Sequence, residues 1–241
     1  MGCDIHLRVE KQTKDGWKPA EEMIPNKYAG EEGEPATLPA RFYNGRNYDL
    51  FAILANVRNG RGFAGCDTGD GFTPIADPRG LPDDVSDEVK EDSEGWGCDG
   101  HSHSWFTLAE LLAFDWTQTT KKRGWINGPT AERWLRIRQW EPAPEEYCGR
   151  VDGRDVQHIS VEEMEQRLNA IKARYGERTN HHWAEIEKAI ARELGNTYAQ
   201  AEWGTTYAQS CENFWIDTMP KLLQLCQGKP KNVRIVFWFD N

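Results

Sequence analysis

The sequence contains no apolar run approaching 18 residues, so nothing in it reads as a membrane span. The first ten residues, Met1 to Glu10, lack the basic stretch and following apolar run of a secretory signal. The six cysteines (Cys3, Cys66, Cys98, Cys148, Cys211, Cys226) include no Cys-x-x-Cys pair, and without an export signal they read as reduced thiols in a cytoplasmic protein. Positive charge is scarce: 29 Lys and Arg against 39 Asp and Glu leave a net charge of −10. That excludes a large duplex nucleic-acid surface, which needs a basic stripe to neutralise phosphates, but a few arginines still suffice for a small anionic ligand. A phosphate-binding P-loop, a dinucleotide fingerprint, a Gly-x-Ser-x-Gly elbow and internal repeats are all absent. His6 stands where the myristoylation pattern requires Ser or Thr, which rules out reading Met1-Gly2-Cys3 as an acylated start.

The 241 residues are 38% hydrophobic, 28% charged and 11% aromatic, a composition that excludes a disordered chain and reads as a single globular domain over residues 1–241. Residues 3–10 alternate strictly, with Cys3, Ile5, Leu7 and Val9 on one side and Asp4, His6, Arg8 and Glu10 on the other, which predicts a half-buried strand. Lys14-Asp15-Gly16 predicts a turn into a second strand near Trp17, and residues 19–40 read as a long loop. Asn47 reads as the cap of a helix over 48–58 that Asn59-Gly60 ends. Residues 60–100, dense in Gly, Asp and Pro, show little periodicity.

Thr107 with Glu110, and Ser160 with Glu163, have the spacing of capping boxes that open helices. Further helices are expected over 129–139, around Trp183 to Leu194, and over 208–226 with an interruption at Pro220. Val233 to Phe239 alternate and predict a final strand. The fold class expected is α+β: a small, mainly antiparallel sheet including both terminal strands, packed against helices. Residues 155–230 read as a helical subdomain inserted before the last strand. Pairing of the terminal strands would bring Asp4 and His6 near Asp240.

Two short segments hold three of the six histidines. In Asp4-x-His6, period-2 geometry puts both side chains on one strand face, close enough to share a cation. Asp99-Gly100-His101-Ser102-His103 packs one carboxylate and two imidazoles into five residues. Such donors suit a divalent transition metal (Zn, Mn or Fe) that keeps an open position for water. The plainer readings are a solvent-facing strand edge for the first segment and a helix-capping loop for the second. Arg41, Asn44, Arg46, Asn47 and Asp49 surround a helix start, where free N–H groups and a guanidinium favour a phosphate, with Arg58 and Arg61 extending the patch. The alternative is that Asn47 merely caps and Arg46 pairs with an acidic neighbour. Trp96 and Trp105 flank the histidine segment and read as pocket walls, whereas Trp134, Trp183 and Trp215 sit at core positions. His158, His181 and His182 read as surface residues. Spacing gives no support to Cys3 or Cys98 as a nucleophile.

Met1-Gly2-Cys3-Asp4-Ile5-His6, the segment from Arg46-Asn47-Tyr48-Asp49-Leu50-Phe51 through Arg58, Arg79-Gly80-Leu81-Pro82 and Asp99-Gly100-His101-Ser102-His103-Ser104-Trp105 resemble a family of phage and prophage proteins. The resemblance covers roughly the first half of the chain and the last strand. It implies a setting, the cytoplasm of a bacterial host, and a nucleotide-like ligand. The resulting expectation is a metal-dependent hydrolase of a small anionic phosphoester or nucleotide-like substrate. Asp4, His6, His101 and His103 would hold the metal, with Asp99 as a ligand or general base. Arg46 would clamp the substrate, and Asn47, Arg58, Trp96 and Trp105 would complete its site. The rival is a non-catalytic protein that sequesters a nucleotide-like ligand or a host protein; oligomeric state stays open.

Overall fold

A computed structural model describes residues 2–31, 33, 35–175 and 180–240, with the side chains of Asn180 and His181 outside the description. The surface reading of His181 therefore lies outside the described residues. In chain order the elements are β1 (Asp4–Thr13), β2 (Gly16–Pro19), β3 (Met23–Pro25), β4 (Thr37–Pro39), α1 (Tyr48–Ala55), α2 (Asp87–Glu94), β5 (His101–Thr107) and α3 (Leu108–Ala113). They continue with β6 (Thr119–Asn127), α4 (Gly128–Leu135), β7 (Gln157–Ile159), α5 (Val161–Ala173), α6 (Asn180–Leu194) and β8 (Thr197–Thr206). The chain ends with α7 (Tyr207–Ser210), α8 (Met219–Cys226) and β9 (Val233–Asp240). The protein is α+β, and its main sheet is antiparallel with both terminal strands in it. Among the described residues no helix is long and apolar enough to cross a membrane.

The chain divides into two compact units. Met1–Asn59, Phe72–Gln118 and Tyr207–Asn241 form the first; Gly60–Gly71 and Thr119–Thr206 form the second. The second unit is not the helical stretch expected at 155–230. It carries the three-stranded sheet β6-β8-β7, with a core that includes Ile126, Trp134, Met164, Leu168, Ile190 and Trp203, and it ends at Thr206.

In the first unit the sheet runs β2-β1-β9-β5. β1 and β9 pair over eight positions, from Asp4↔Asp240 to Lys11↔Val233. Directly opposed residues share a face. Ile5, Leu7 and Val9 therefore lie with Phe239, Phe237 and Ile235 in the main core, beside Leu50, Phe51 and Leu54 of α1. Asp4, His6, Arg8 and Glu10 share the other face with Asp240, Trp238, Val236 and Arg234. α1 starts where the side chain of Asn47 accepts from the Asp49 and Leu50 N–H groups, and it stops at Ala55, earlier than expected, because Asn56 turns left-handed (φ 57°).

Three segments depart from the sequence reading. β3 and β4 pair within the expected loop 19–40, and α2 forms inside the stretch 60–100. The histidine segment is an edge strand rather than a turn. Pro220 sits in the first turn of α8, where a missing N–H costs nothing, and it follows a single π-helical turn at Phe214–Thr218.

Candidate functional site

The second face of the sheet in the first unit is covered by α2 and its flanks, mostly through charge. Arg8 Nε meets Glu21 Oε1 at 3.2 Å, Arg8 Nη1 meets Asp92 Oδ2 at 2.6 Å, and Arg41 Nη2 reaches the same oxygen at 3.2 Å. Arg234 pairs with Glu10 at 2.7 Å and with Asp84 at 2.6 Å, while the Ser86 N–H donates to Glu10 at 2.8 Å. The apolar cluster under this cover is small: Val89, Val236 and Trp238 are buried, with Leu81, Val85, Trp96 and Trp105 packed on them.

At the end of this face, His6 lies against Trp238 (ring centroids 5.7 Å apart) and under Trp96 (3.9 Å). His103 stacks on Trp238 from the other side at 6.0 Å. A cleft of about 500 Å³ lined by Gly80, Leu81, Ser93, Glu94, Gly97 and His103 opens beside it. His6 Nε2 stands 3.7 Å from Asp240 Oδ1, the carboxylate that terminal-strand pairing brings to Asp4 and His6.

The four residues expected to hold one ion are not gathered round one point. Ser102 is left-handed (φ 51°), and the β5–β9 register shifts between His101 and Ser104. This bulge sets His101 opposite Phe239, whose ring belongs to the main core, while His103 lies on Trp238. His6 and His103 sit on strands two apart, about 9–10 Å between backbones, with the Trp238 indole between them. Ligands of one Zn ion each lie only about 2.0–2.2 Å from it. Among the described residues no three His, Cys, Asp or Glu side chains are grouped to hold a metal ion.

The residues expected to clamp an anion are engaged elsewhere. Arg46 forks onto Asp4, with Nε to Oδ1 at 2.6 Å and Nη2 on Oδ2; that pairing holds the Asp4 carboxyl below its ordinary range. Asn47 caps α1 and donates to the Ser210 carbonyl at 2.7 Å. Arg58 stacks over Tyr48 and reaches the Gly2 carbonyl at 3.4 Å, while Arg61 belongs to the second unit. Asp99 is exposed in the turn before β5, where its carboxylate meets the Cys98 thiol. Trp96 covers His6, whereas Trp105 carries the guanidinium of Arg79 at 5.3 Å.

Sequence reasoning missed Trp238 as the divider between the imidazoles. The signal was present, since Trp238 is the residue of β9 that falls opposite His6 once the terminal strands are paired. His6 Nε2 and Trp238 Nε1 are buried without a hydrogen-bond partner, as are Glu21 Oε2, Arg41 Nη1 and Ser86 Oγ in the surrounding network. Leaving a buried donor or acceptor unpaired costs about 1–3 kcal/mol.

Burial, with help from the positive Arg41, pushes the His6 pKa down against the pull of Asp240; burial and the neighbouring His101 push His103 down. Both rings are neutral at neutral pH, each offering one donor and one acceptor nitrogen. Because the unfolded chain binds these protons at the ordinary value of 6.5 and the fold resists them, stability is complete above that pH. It declines as pH falls from 6.5 towards the lowered folded values, ahead of carboxylate protonation. Urea unfolding across pH 4–8 checks this: replacing both His6 and His103 with Gln flattens that limb, and an unchanged limb assigns it to other groups.

No protein-family model, curated protein or solved structure matches the chain.

Proposed function

We propose that the protein binds a small nucleotide-like ligand at the histidine-lined end of the sheet in its first unit, with a planar heterocycle in the cleft beside His103. The observation that carries this reading is the pair of buried, unpartnered nitrogens, His6 Nε2 and Trp238 Nε1, next to that cleft. A planar ligand offers a face for the aromatic walls and acceptor oxygens for the indole N–H. Ser93, Glu94 and the neutral His103 ring supply further hydrogen-bonding groups along the cleft. Reaching His6 requires Trp96 to swing off its ring. The setting that goes with this reading is the cytoplasm of a bacterial host, where such a protein would withdraw its ligand from use.

Titrating the full chain with nucleobases, nucleosides and nucleotides, followed by tryptophan fluorescence, tests the reading. Binding by one class should weaken at least about tenfold in His103→Ala, the equivalent of about 1.4 kcal/mol. Silence across the panel at millimolar concentrations would mean that ordered water alone satisfies the two nitrogens.

One observation favours a second reading, the metal-dependent hydrolase. Two ligands of one divalent ion lie about 3–4 Å apart, and His6 Nε2 and Asp240 Oδ1 stand 3.7 Å apart. That pair fits part of a Zn, Mn or Fe site. Asp4 would be its third donor only after releasing Arg46, which now neutralises it, and the ion would supply an activated water. Elemental analysis of untagged protein separates the two: less than a few tenths of an equivalent of metal leaves the hydrolase reading without its cofactor.

A further inference from the structure

A second cavity of about 500 Å³ in the first unit lies apart from the histidine-lined cleft and shares no lining residue with it. Lys11, Arg41 and Lys221 line it with one carboxylate, Glu22, and two side-chain amides, Gln224 and Gln227. Three cations against one anion is an unusual local balance in a chain whose net charge is −10. Lys11 continues the apolar side of β1 past Ile5, Leu7 and Val9, so its ammonium emerges where the main core runs out. Neither Lys11 nor Lys221 has a carboxylate within ion-pair distance among the described residues. Arg41 is anchored by Nη2 on Asp92 at 3.2 Å, and its Nη1 is buried with no hydrogen-bond partner. Phe42 and Leu225 supply apolar wall beside these charges.

We propose that this groove is a binding site for a small organic phosphate, a phosphomonoester whose dianion sits among Lys11, Arg41 and Lys221 while its organic part rests on Phe42 and Leu225. A phosphomonoester presents three acceptor oxygens and nearly two charges at neutral pH, which matches one guanidinium fork and two ammonium points better than a carboxylate does. The requirement for an apolar part separates it from inorganic phosphate. Two features oppose the anion: the Glu22 carboxylate, and the C-terminal end of α8, whose last turn and following residue supply Gln224, Leu225 and Gln227. Lys221 on the same helix offsets the second.

This inference does not rest on the histidine-end reading, and the two fail separately. Calorimetric titration of the full chain with phenyl phosphate, inorganic phosphate and phenylacetate is the test. Phenyl phosphate should bind most tightly and weaken as salt is raised. Lys11→Gln and Lys221→Gln should each weaken it about tenfold, as expected for the loss of one charge-assisted contact. Both lysines sit at the groove rather than in the core, so folding of the variants is checked by their melting curves. Trp238→Phe should leave phenyl phosphate binding unchanged while altering binding at the cleft. The proposal is overturned if phenyl phosphate gives no saturable heat, if phenylacetate binds as tightly, or if folded Lys11→Gln/Lys221→Gln binds like the parent.

Discussion

Arg234→Ala should lower the unfolding free energy by about 3–5 kcal/mol, the usual cost of breaking a buried ion pair from one side. Arg234 is 2% exposed, with Nε on Glu10 at 2.7 Å, Nη1 on Asp84 at 2.6 Å and Nη2 on the Asp84 carbonyl at 3.1 Å. Its guanidinium also lies 4.0 Å from the centre of the Trp17 ring. Asp84 is largely exposed and would lose little, but Glu10 is fully buried and would keep only the Ser86 N–H. The cost therefore comes mainly from stranding the Glu10 charge. Two companion variants separate this from lost packing. Arg234→Lys should recover little, because an ammonium cannot reproduce the fork to Glu10 and Asp84. Glu10→Leu combined with Arg234→Met should recover most of the loss, since an apolar pair of similar volume replaces a buried ion pair at little cost. Urea unfolding read by far-UV circular dichroism measures all three. A loss below about 1 kcal/mol for Arg234→Ala would show that Glu10 escapes to water when its partner is removed.

The same pair shows why part of this fold could be read from the sequence and part could not. β1 and β9 alternate so cleanly that their strand character, their faces and their pairing follow from residue order, including the meeting of Asp4 and His6 with Asp240. The caps were equally legible, because Asn47 and Thr107 act on N–H groups two or three residues away. β6 and β8 were not. Their nine-position pairing joins Thr119↔Thr206 through Asn127↔Tyr198, and the inward positions of β6 are Lys122, Gly124 and Ile126. With a lysine and a glycine facing in, the alternation that marks a strand is hidden. The inward residues of β8 include Ala199 and Ala201, and Ala-Gln-Ala-Glu favours helix until a partner strand overrides it.

At the candidate site the decisive feature was a single dihedral. Ser102 in the left-handed region separates His101 from His103, and a serine gives no warning of a conformation normally left to glycine or asparagine. The Arg46–Asp4 pair spans 42 positions, so only the assembled fold shows that the expected clamp is already occupied.

In the second unit the largest single-residue effect should come from Gly69→Ala, a loss of about 3–5 kcal/mol. Gly69 has φ +135°, a conformation that costs a residue with a side chain roughly 1–3 kcal/mol. A methyl group there would also overlap the Lys121 carbonyl oxygen and lie 2.8 Å from Lys122 Cα, and overpacking of this kind adds about 1–3 kcal/mol. Neither backbone can retreat easily. The Asp70 N–H donates to Lys121 O at 2.9 Å and the Arg123 N–H to Thr68 O at 3.0 Å, which holds the loop on β6 while β8 holds β6 from the other side. Arg123 reinforces the join by reaching Asp67, Asp70 and Glu202. Gly16→Ala is the control: its φ is +100° but nothing lies within 4 Å of the added carbon, so it should cost only the conformational part. Native-state hydrogen exchange gives the readout at the right place, through lost protection of the β6 and β8 amides in Gly69→Ala. If the two glycine variants cost the same, backbone strain alone accounts for Gly69, and the loop can lift away from β6 without penalty.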